Sequence, residues 1–301
     1  MSIRKIHISG GQGFIGSNIS KSLGDIFDIS VSDLCDTNVL NKEDIVDRIK
    51  SQSPDLIIAL AGLMGGHESK LNLYNIFNVN SFGVLNVIEA AHLAAVKNII
   101  FFSSLTVHGA FNNHNKIINE NDKFLPAHPY STSKVIAEYL LRDYSKFYKI
   151  NVVILRPTIV VGNLLGEENA LNEFTKNAFK GNPIVLYGRG KHKREYLSVS
   201  DLTKAVERSI KFLENNADEN VCESFIISSG KGISMAELAL NCVAIANGGS
   251  VKHKEKSSQA FSLLSNISKA KNKLEWEPMD DIDKMIKDML SNIKADNNDN
   301  K

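Results

Sequence analysis

The chain has 301 residues, 43% of them hydrophobic and 23% charged, enough apolar material for a large core plus an appended lobe and not the composition of a disordered chain. With 35 basic and 34 acidic residues the formal net charge is +1, which argues against nucleic acid and membrane surfaces as partners. Three cysteines without paired or metal-ligand spacing, and no stretch of about 18 apolar residues or leader-like segment, predict a cytoplasmic protein with no disulfides, no metal and no membrane span.

The first half alternates strand and helix patterns. Ile3–Ser9 reads as a strand, Gly10–Gly16 as a glycine turn, and Phe14–Leu23 as a helix. Ile29–Ser32 is the next strand, and Lys42–Lys50 a helix closed by the turn at Pro54. Asp55–Leu60 is a strand, Tyr74–Ala95 a long helix, Asn98–Ser103 a strand, Tyr130–Tyr148 a helix and Val152–Arg156 a strand. The runs around Leu56–Leu60 and Asn98–Phe102 are continuously apolar, as in strands covered on both faces. Such alternation predicts an α/β, Rossmann-like doubly wound parallel sheet. After Pro157 the rhythm changes: a helix over Asn169–Lys180 is followed by turns at Gly181, Pro183, Gly188 and Gly190. This predicts a smaller C-terminal lobe with a return crossover to the sheet. The predicted division is 1–160 for the nucleotide-binding half, 161–295 mainly for the substrate lobe, and 296–301 as a frayed tail. The lysines between Lys252 and Lys256 read as a solvated face.

Gly10-Gly11-Gln12-Gly13-Phe14-Ile15-Gly16 follows a strand and opens a helix. Glycines there allow a tight turn and close approach of a pyrophosphate to the helix N-terminus. Gly10, Gly13, Phe14, Ile15 and Gly16 are therefore candidate cofactor residues. Asp33, 17 residues after Gly16 at the end of the second strand, would bind a ribose 2′-hydroxyl and repel a 2′-phosphate, selecting NAD. The plain alternative is a glycine turn with a surface aspartate.

Tyr130 and Lys134 stand four apart at the start of a helix and so share a face. A nearby ammonium, with a cationic nicotinamide, would lower the phenol pKa and make Tyr130 an acid/base. A second such pair, Tyr187 and Lys191, spans Gly188 and Gly190 and reads as a turn. Ser103 and Ser104 end a sheet strand, where ligands bind in open α/β sheets. Ser104 is the candidate that aligns the reacting oxygen against Tyr130; the alternative is a serine pair terminating the strand.

Taken together, GGQGFIGSNI, the Asp33 strand, LIIALAG, NVNSFGVLNVIEAA, FFSSLTVHG, PYSTSKVIAE, ILRPTIVVG, LYGRGKHKREYLSVSD, FIISSGKGISMAEL and KAKNKLEWEP resemble the extended short-chain dehydrogenase/reductases, the NAD-dependent epimerase/dehydratase family. The resemblance runs from about Lys5 to Met279. It implies Ser104, Tyr130 and Lys134 as catalytic residues, and Leu60, Ala61, Gly62 and Pro157 as cofactor wall. Arg194 would grip a substrate diphosphate and Thr106 would touch substrate; an ion pair of Arg194 with Glu195 or Asp201 is the alternative. The run from Ala61 to Ser69 and that from Ser104 to Gly109 look most like sugar-nucleotide 4-epimerases. Leu105-Thr106 stands where sugar dehydratases carry an Asp-Glu pair, and fucose-synthase-type enzymes would carry a cysteine at Thr106. Departures from the family pattern are Ile159 for an asparagine, Met64 for a lysine and His108 for a tyrosine. His67 and His108 are not expected to be catalytic. The resemblance implies an NAD-dependent nucleotide-sugar epimerase. A 4-ketosugar reductase or sugar dehydrogenase is the alternative, and a non-catalytic NAD-binding regulator a remote one. A homodimer built on the Tyr130 helix is expected.

Overall fold

A computed structural model describes residues 2–64, 73–109, 116–162, 169–255 and 262–299, with side chains through 295. Six strands form one all-parallel sheet: β1 (Lys5–Ser9), β2 (Asp28–Ser32), β3 (Leu56–Ala59), β4 (Asn98–Phe102), β6 (Asn151–Pro157) and β11 (Cys222–Ile227). Their spatial order is β11-β6-β4-β3-β1-β2. The chain steps from β1 outward to β2, then back across β1 to β3. That reversal opens a crevice at the carboxyl ends of β1 and β3, where open α/β sheets bind ligands.

Helices cover both faces. On one lie α1 (Phe14–Leu23) and α7 (Val199–Asn215), whose Ile19, Leu23, Leu202, Val206 and Ile210 pack on Ile6, Ile8, Ile58, Ile100 and Leu155. On the other lie α2 (Lys42–Gln52), α4 (Gly83–Leu93) and α5 (Pro129–Tyr148), packed on Ile57, Ile99, Phe101, Val152 and Ile154. The sheet residues alternate between these two clusters, so period-two geometry carries apolar side chains to both faces. The predicted single helix over Tyr74–Ala95 is three pieces: α3 (Leu73–Phe77), a π-turn (Asn78–Phe82) and α4.

The remaining elements build the C-terminal part. A third core joins α6 (Ala170–Phe179), α8 (Met235–Ala246) and α10 (Ile282–Asp299) to two short ladders. These are β7 (Ile159–Val161) with β10 (Tyr196–Ser198), and β8 (Pro183–Tyr187) with β13 (Ser250–Lys254). Two-residue pairs complete it: β5 (Ile117–Ile118) with β14 (Leu264–Ser265), and β9 (Lys193–Arg194) with β12 (Ile233–Ser234). The expected crossover back to the main sheet is β11, which pairs with β6 along its whole length. The short helix α9 (Ser268–Lys273) packs against β11 through the Lys269–Glu223 ion pair. Where a frayed tail was expected, the backbone of 296–299 is helical; 300 and 301 lie outside the described residues. Among the described residues no helix is long and apolar enough to cross a membrane.

Candidate active site

Because the sheet is parallel, Gly10, Asp33, Leu60, Ser103, Pro157 and Ser228 all emerge at one end of it. The glycine loop lies in the crevice between β1 and β3. Gly10 has φ +79, and a Cβ there would lie 2.7 Å from Ala61 N. A Cβ on Gly16 would lie 2.5 Å from Gly10 O and 2.7 Å from Gly11 Cα. Both positions exclude any larger residue. Gly13 is the N-cap of α1 and offers no capping side chain, so the first N–H groups of the helix are directed to the crevice. Phe14, in the first turn, packs against Gly162.

Asp33 stands at the mouth of this loop. Its Oδ2 accepts from Gln12 N at 3.1 Å and its Oδ1 from Leu34 N at 2.8 Å. These bonds fix the carboxylate while leaving it acceptor capacity for a hydroxyl. A cradle that a single Cβ would fill, an uncapped helix start and a fixed carboxylate suit a dinucleotide: the glycines and α1 would hold its pyrophosphate, and Asp33 a ribose.

The second half of the site grows from α5. His128 caps the helix, accepting from Ser131 N while Ser131 Oγ binds its backbone, and Pro129 follows at the first helical position. Tyr130 is thereby held in the first turn, near the positive helix end. Tyr130, Lys134, Glu138 and Arg142 recur every four residues, so one face of α5 carries all four toward the sheet. The Ser104 hydroxyl stands beside the Tyr130 phenol and favours its ionised form. Ser104 Oγ is 2.9 Å from Thr106 Oγ1 and accepts from Thr106 N at 3.2 Å, capping a 3₁₀ turn over Leu105–His108. Lys134 Nζ donates to Phe102 O at 2.9 Å and lies 5.8 Å from the Tyr130 ring centroid. Gly62 abuts it: a Cβ there would come within 3.3 Å of Lys134 Nζ.

Electrostatics differ from the expectation in one respect. Burial pushes the Tyr130 phenol up to about 12, and the neighbouring Ser104 hydroxyl offsets this only in part. Burial also lowers Lys134 to about 8, against the raising effect of Glu138. The protein's own groups therefore do not depress the phenol pKa, because removing the phenolate from water outweighs the help it receives from the chain.

Two supports escaped the sequence reading. Asn80, in the π-turn, accepts from Leu63 N at 2.7 Å and donates to Leu63 O at 3.0 Å and Ser133 Oγ at 3.0 Å. It thus ties the segment after β3 to α5, at the kind of π-bulge that often marks a functional site. Behind Ser104 lies a buried ion network. Arg156 donates to Glu138 at 2.8 and 2.6 Å, and Glu138 also accepts from Ser103 Oγ at 2.6 Å. Arg156 Nη1 further contacts Glu120 O at 2.8 Å and His108 Nε2 at 3.0 Å. His108 Nδ1 then donates to Lys123 O at 3.3 Å, which makes the ring neutral. Burial first, and Arg156 second, hold its pKa near 4, so His108 is a spacer under the loop and not a proton carrier. The signal for Glu138 was present: it is the third member of the four-residue repeat from Tyr130.

Arg194 sits on β9, half-buried, with Nη1 donating to Lys193 O at 3.0 Å. The strand passes over the carboxyl ends of β6 and β11: Thr158 Oγ1 donates to Glu195 O at 3.0 Å, and Ser228 Oγ to Glu195 Oε2 at 2.5 Å. The Glu195 carboxylate accepts from Ser228 Oγ, Ser265 Oγ and Ser265 N, and that of Asp201 from Met279 N and Asp280 N with Lys204 beside it, so neither is paired with Arg194. Leu60, Ala61 and Pro157 line the same end of the sheet. His67 and the rest of the run from Gly65 to Ser69 lie outside the described residues.

The profile of the NAD dependent epimerase/dehydratase family matches residues 6–222. The chain belongs to this family. NAD is accordingly the cofactor that the cradle accommodates. A protein of Methanocaldococcus jannaschii named putative UDP-glucose 4-epimerase is 25% identical over 313 residues, covering 97% of this chain and 99% of that one. The UDP-glucose 4-epimerase of Mycoplasma pneumoniae is 26% identical, covering 94% and 95%. The crystal structure of UDP-glucose 4-epimerase from Brucella ovis in complex with NAD has a TM-score of 0.82 at 23% identity, with 94% and 96% coverage. At that identity the likeness shows the fold.

Proposed function

We propose that this family member is a nucleotide-sugar epimerase, with Tyr130 as its acid/base. The observation that carries the reading is the grouping of Tyr130 with Lys134, whose Nζ lies 5.8 Å from the Tyr130 ring centroid, beside Ser104 and across the same crevice from the dinucleotide cradle. The relatives named UDP-glucose 4-epimerase match the chain end to end, which supports position 4 as the reacting carbon. When bound, the nicotinamide supplies a hydride acceptor and donor. Ser104 aligns the substrate hydroxyl, and Tyr130 takes its proton while the carbon loses hydride. After the ketone turns over, Tyr130 returns the proton as hydride returns to the opposite face, so no net oxidation occurs. A phenol at about 12 needs positive charge at the moment of transfer. Lys134, at about 8, is mostly ammonium at neutral pH and is the protein group placed to supply it. Arg194 would hold the diphosphate as a planar guanidinium donor.

Tyr130→Phe tests this. The phenyl ring keeps the packing but has no exchangeable proton. Turnover of UDP-glucose or UDP-galactose should fall at least 1000-fold while NAD binding changes less than about threefold. Activity near the native level in that variant refutes the assignment. Stoichiometric consumption of added NADH by the native protein would replace the epimerase with a net ketosugar reductase.

A further inference from the structure

The chain carries a net charge of only +1, yet its cations are unevenly placed. Arg189, Lys191, Lys193, Lys231, Lys252 and Lys254 are all exposed. Among the described residues none of the six is in an ion pair. They belong to one connected surface. Gly188 N donates to Lys254 O at 2.9 Å, and His253 Nδ1 donates to Gly188 O at 2.9 Å, joining the end of β13 to the loop that carries Arg189 and Lys191. Gly232, next to Lys231, lies against Lys193: a Cβ on it would be 3.4 Å from Lys193 Cβ. The same loop crosses the start of α8, where Ala236 N donates to Gly190 O and Met235 N to His192 O. The acidic residues in these stretches are Glu237, which caps α8, and Glu255. Lys193 has Glu237 near it, but the strip as a whole holds more cations than carboxylates, and like charges repel one another, so stability does not account for the arrangement.

The strip ends at Arg194, next to Glu195, which is bonded to Thr158 and Ser228 at the carboxyl ends of β6 and β11. The geometry points to an electrostatic funnel: the six exposed cations draw a phosphate-bearing, dianionic substrate toward Arg194, without touching it once bound. This rests on the nucleotide-sugar reading and adds to it a surface that governs capture rather than chemistry. Such a field raises the local concentration and association rate of an anion, and it fades as salt shortens the screening length from about 30 Å at 0.01 M to about 3 Å at 1 M. A lipid phosphate would be attracted by the same chemistry. The half-buried position of Arg194 at the site end of the strip favours a soluble phosphate ester.

The test uses the full chain, with UDP as probe, by calorimetry at 20 mM and 500 mM NaCl. Lys252→Glu with Lys254→Glu, and separately Arg189→Glu with Lys191→Glu, reverse exposed charges outside the catalytic residues. Each pair should raise the Kd for UDP about fivefold or more at 20 mM NaCl and less than twofold at 500 mM. The kcat for the sugar nucleotide should be unchanged and KM should follow Kd. Equal UDP affinity of variant and native protein at 20 mM NaCl overturns the funnel and leaves the epimerase reading standing. A native protein that binds no UDP overturns both. Salt-sensitive binding to vesicles containing 30% phosphatidylglycerol, lost in the variants while UDP affinity stays the same, overturns the funnel in favour of a lipid surface.

Discussion

Glu138→Gln should be the most damaging single isosteric change behind the site. Arg156 is 1% exposed and donates to both Glu138 oxygens. Glutamine keeps the volume but removes the charge and turns one acceptor into a donor facing the guanidinium. An uncompensated buried charge costs about 3–5 kcal/mol. His108 Nε2 and Glu120 O remain as acceptors for Nη1, so the lower end of that range, about 3 kcal/mol, is expected. At roughly 2 °C per kcal/mol for a chain of this length, the midpoint should fall by about 6 °C. Denaturant titration followed by circular dichroism and by the single Trp276, itself 3% exposed, gives the value directly. Coincidence of the two probes checks that one transition is being measured. Glu138→Leu combined with Arg156→Met removes both charges and should cost less than Glu138→Gln alone. A loss below about 1 kcal/mol for Glu138→Gln, or a double variant worse than the single, would refute the reasoning.

Gly16→Ala places a methyl 2.5 Å from Gly10 O; NAD affinity should drop at least tenfold in fluorescence titration, with the far-ultraviolet spectrum retained. Asp33→Ala should narrow the preference for NAD over NADP, read as the ratio of the two dissociation constants. His7 and His108 are both held near 4, chiefly by burial. Their unfolded forms titrate near 6.5 and bind more protons than the folded forms between about 4 and 6.5, so stability should fall as pH falls through that window. His108→Gln should reduce the slope of unfolding free energy against pH by up to about 1.4 kcal/mol per unit. Lys134 is lowered to about 8; NAD affinity and turnover should both decline as pH rises through that value. Phe82, Tyr139 and Phe147 are exposed on the π-turn and α5, so sedimentation should show a dimer that Tyr139→Glu with Phe147→Glu dissociates.

Local patterns were enough for much of this. Continuous apolar runs separated by helical periods identify the strands and helices of the first half. Glycine spacing after a strand locates the cradle, because the turn, the close approach and the helix start are all encoded within seven residues. Tyr130, Lys134 and Glu138 share a face by helical period alone. Tertiary structure decided what no local period can carry. Asn80 reaches Leu63 and Ser133, 17 and 53 residues away, and Arg156 joins Glu138 and His108 across 18 and 48. The break of the long helix falls at the π-turn that carries Asn80. The direction of the Tyr130 shift was likewise beyond the sequence: spacing shows that Lys134 is near, but only the packed site shows that desolvation of the phenol dominates and that Ser104 offsets it only in part. The cationic strip, read along the chain as separate solvated lysines, becomes one surface only when β13 closes on the loop after β8, because charge density is set by distance in space and not by distance along the chain.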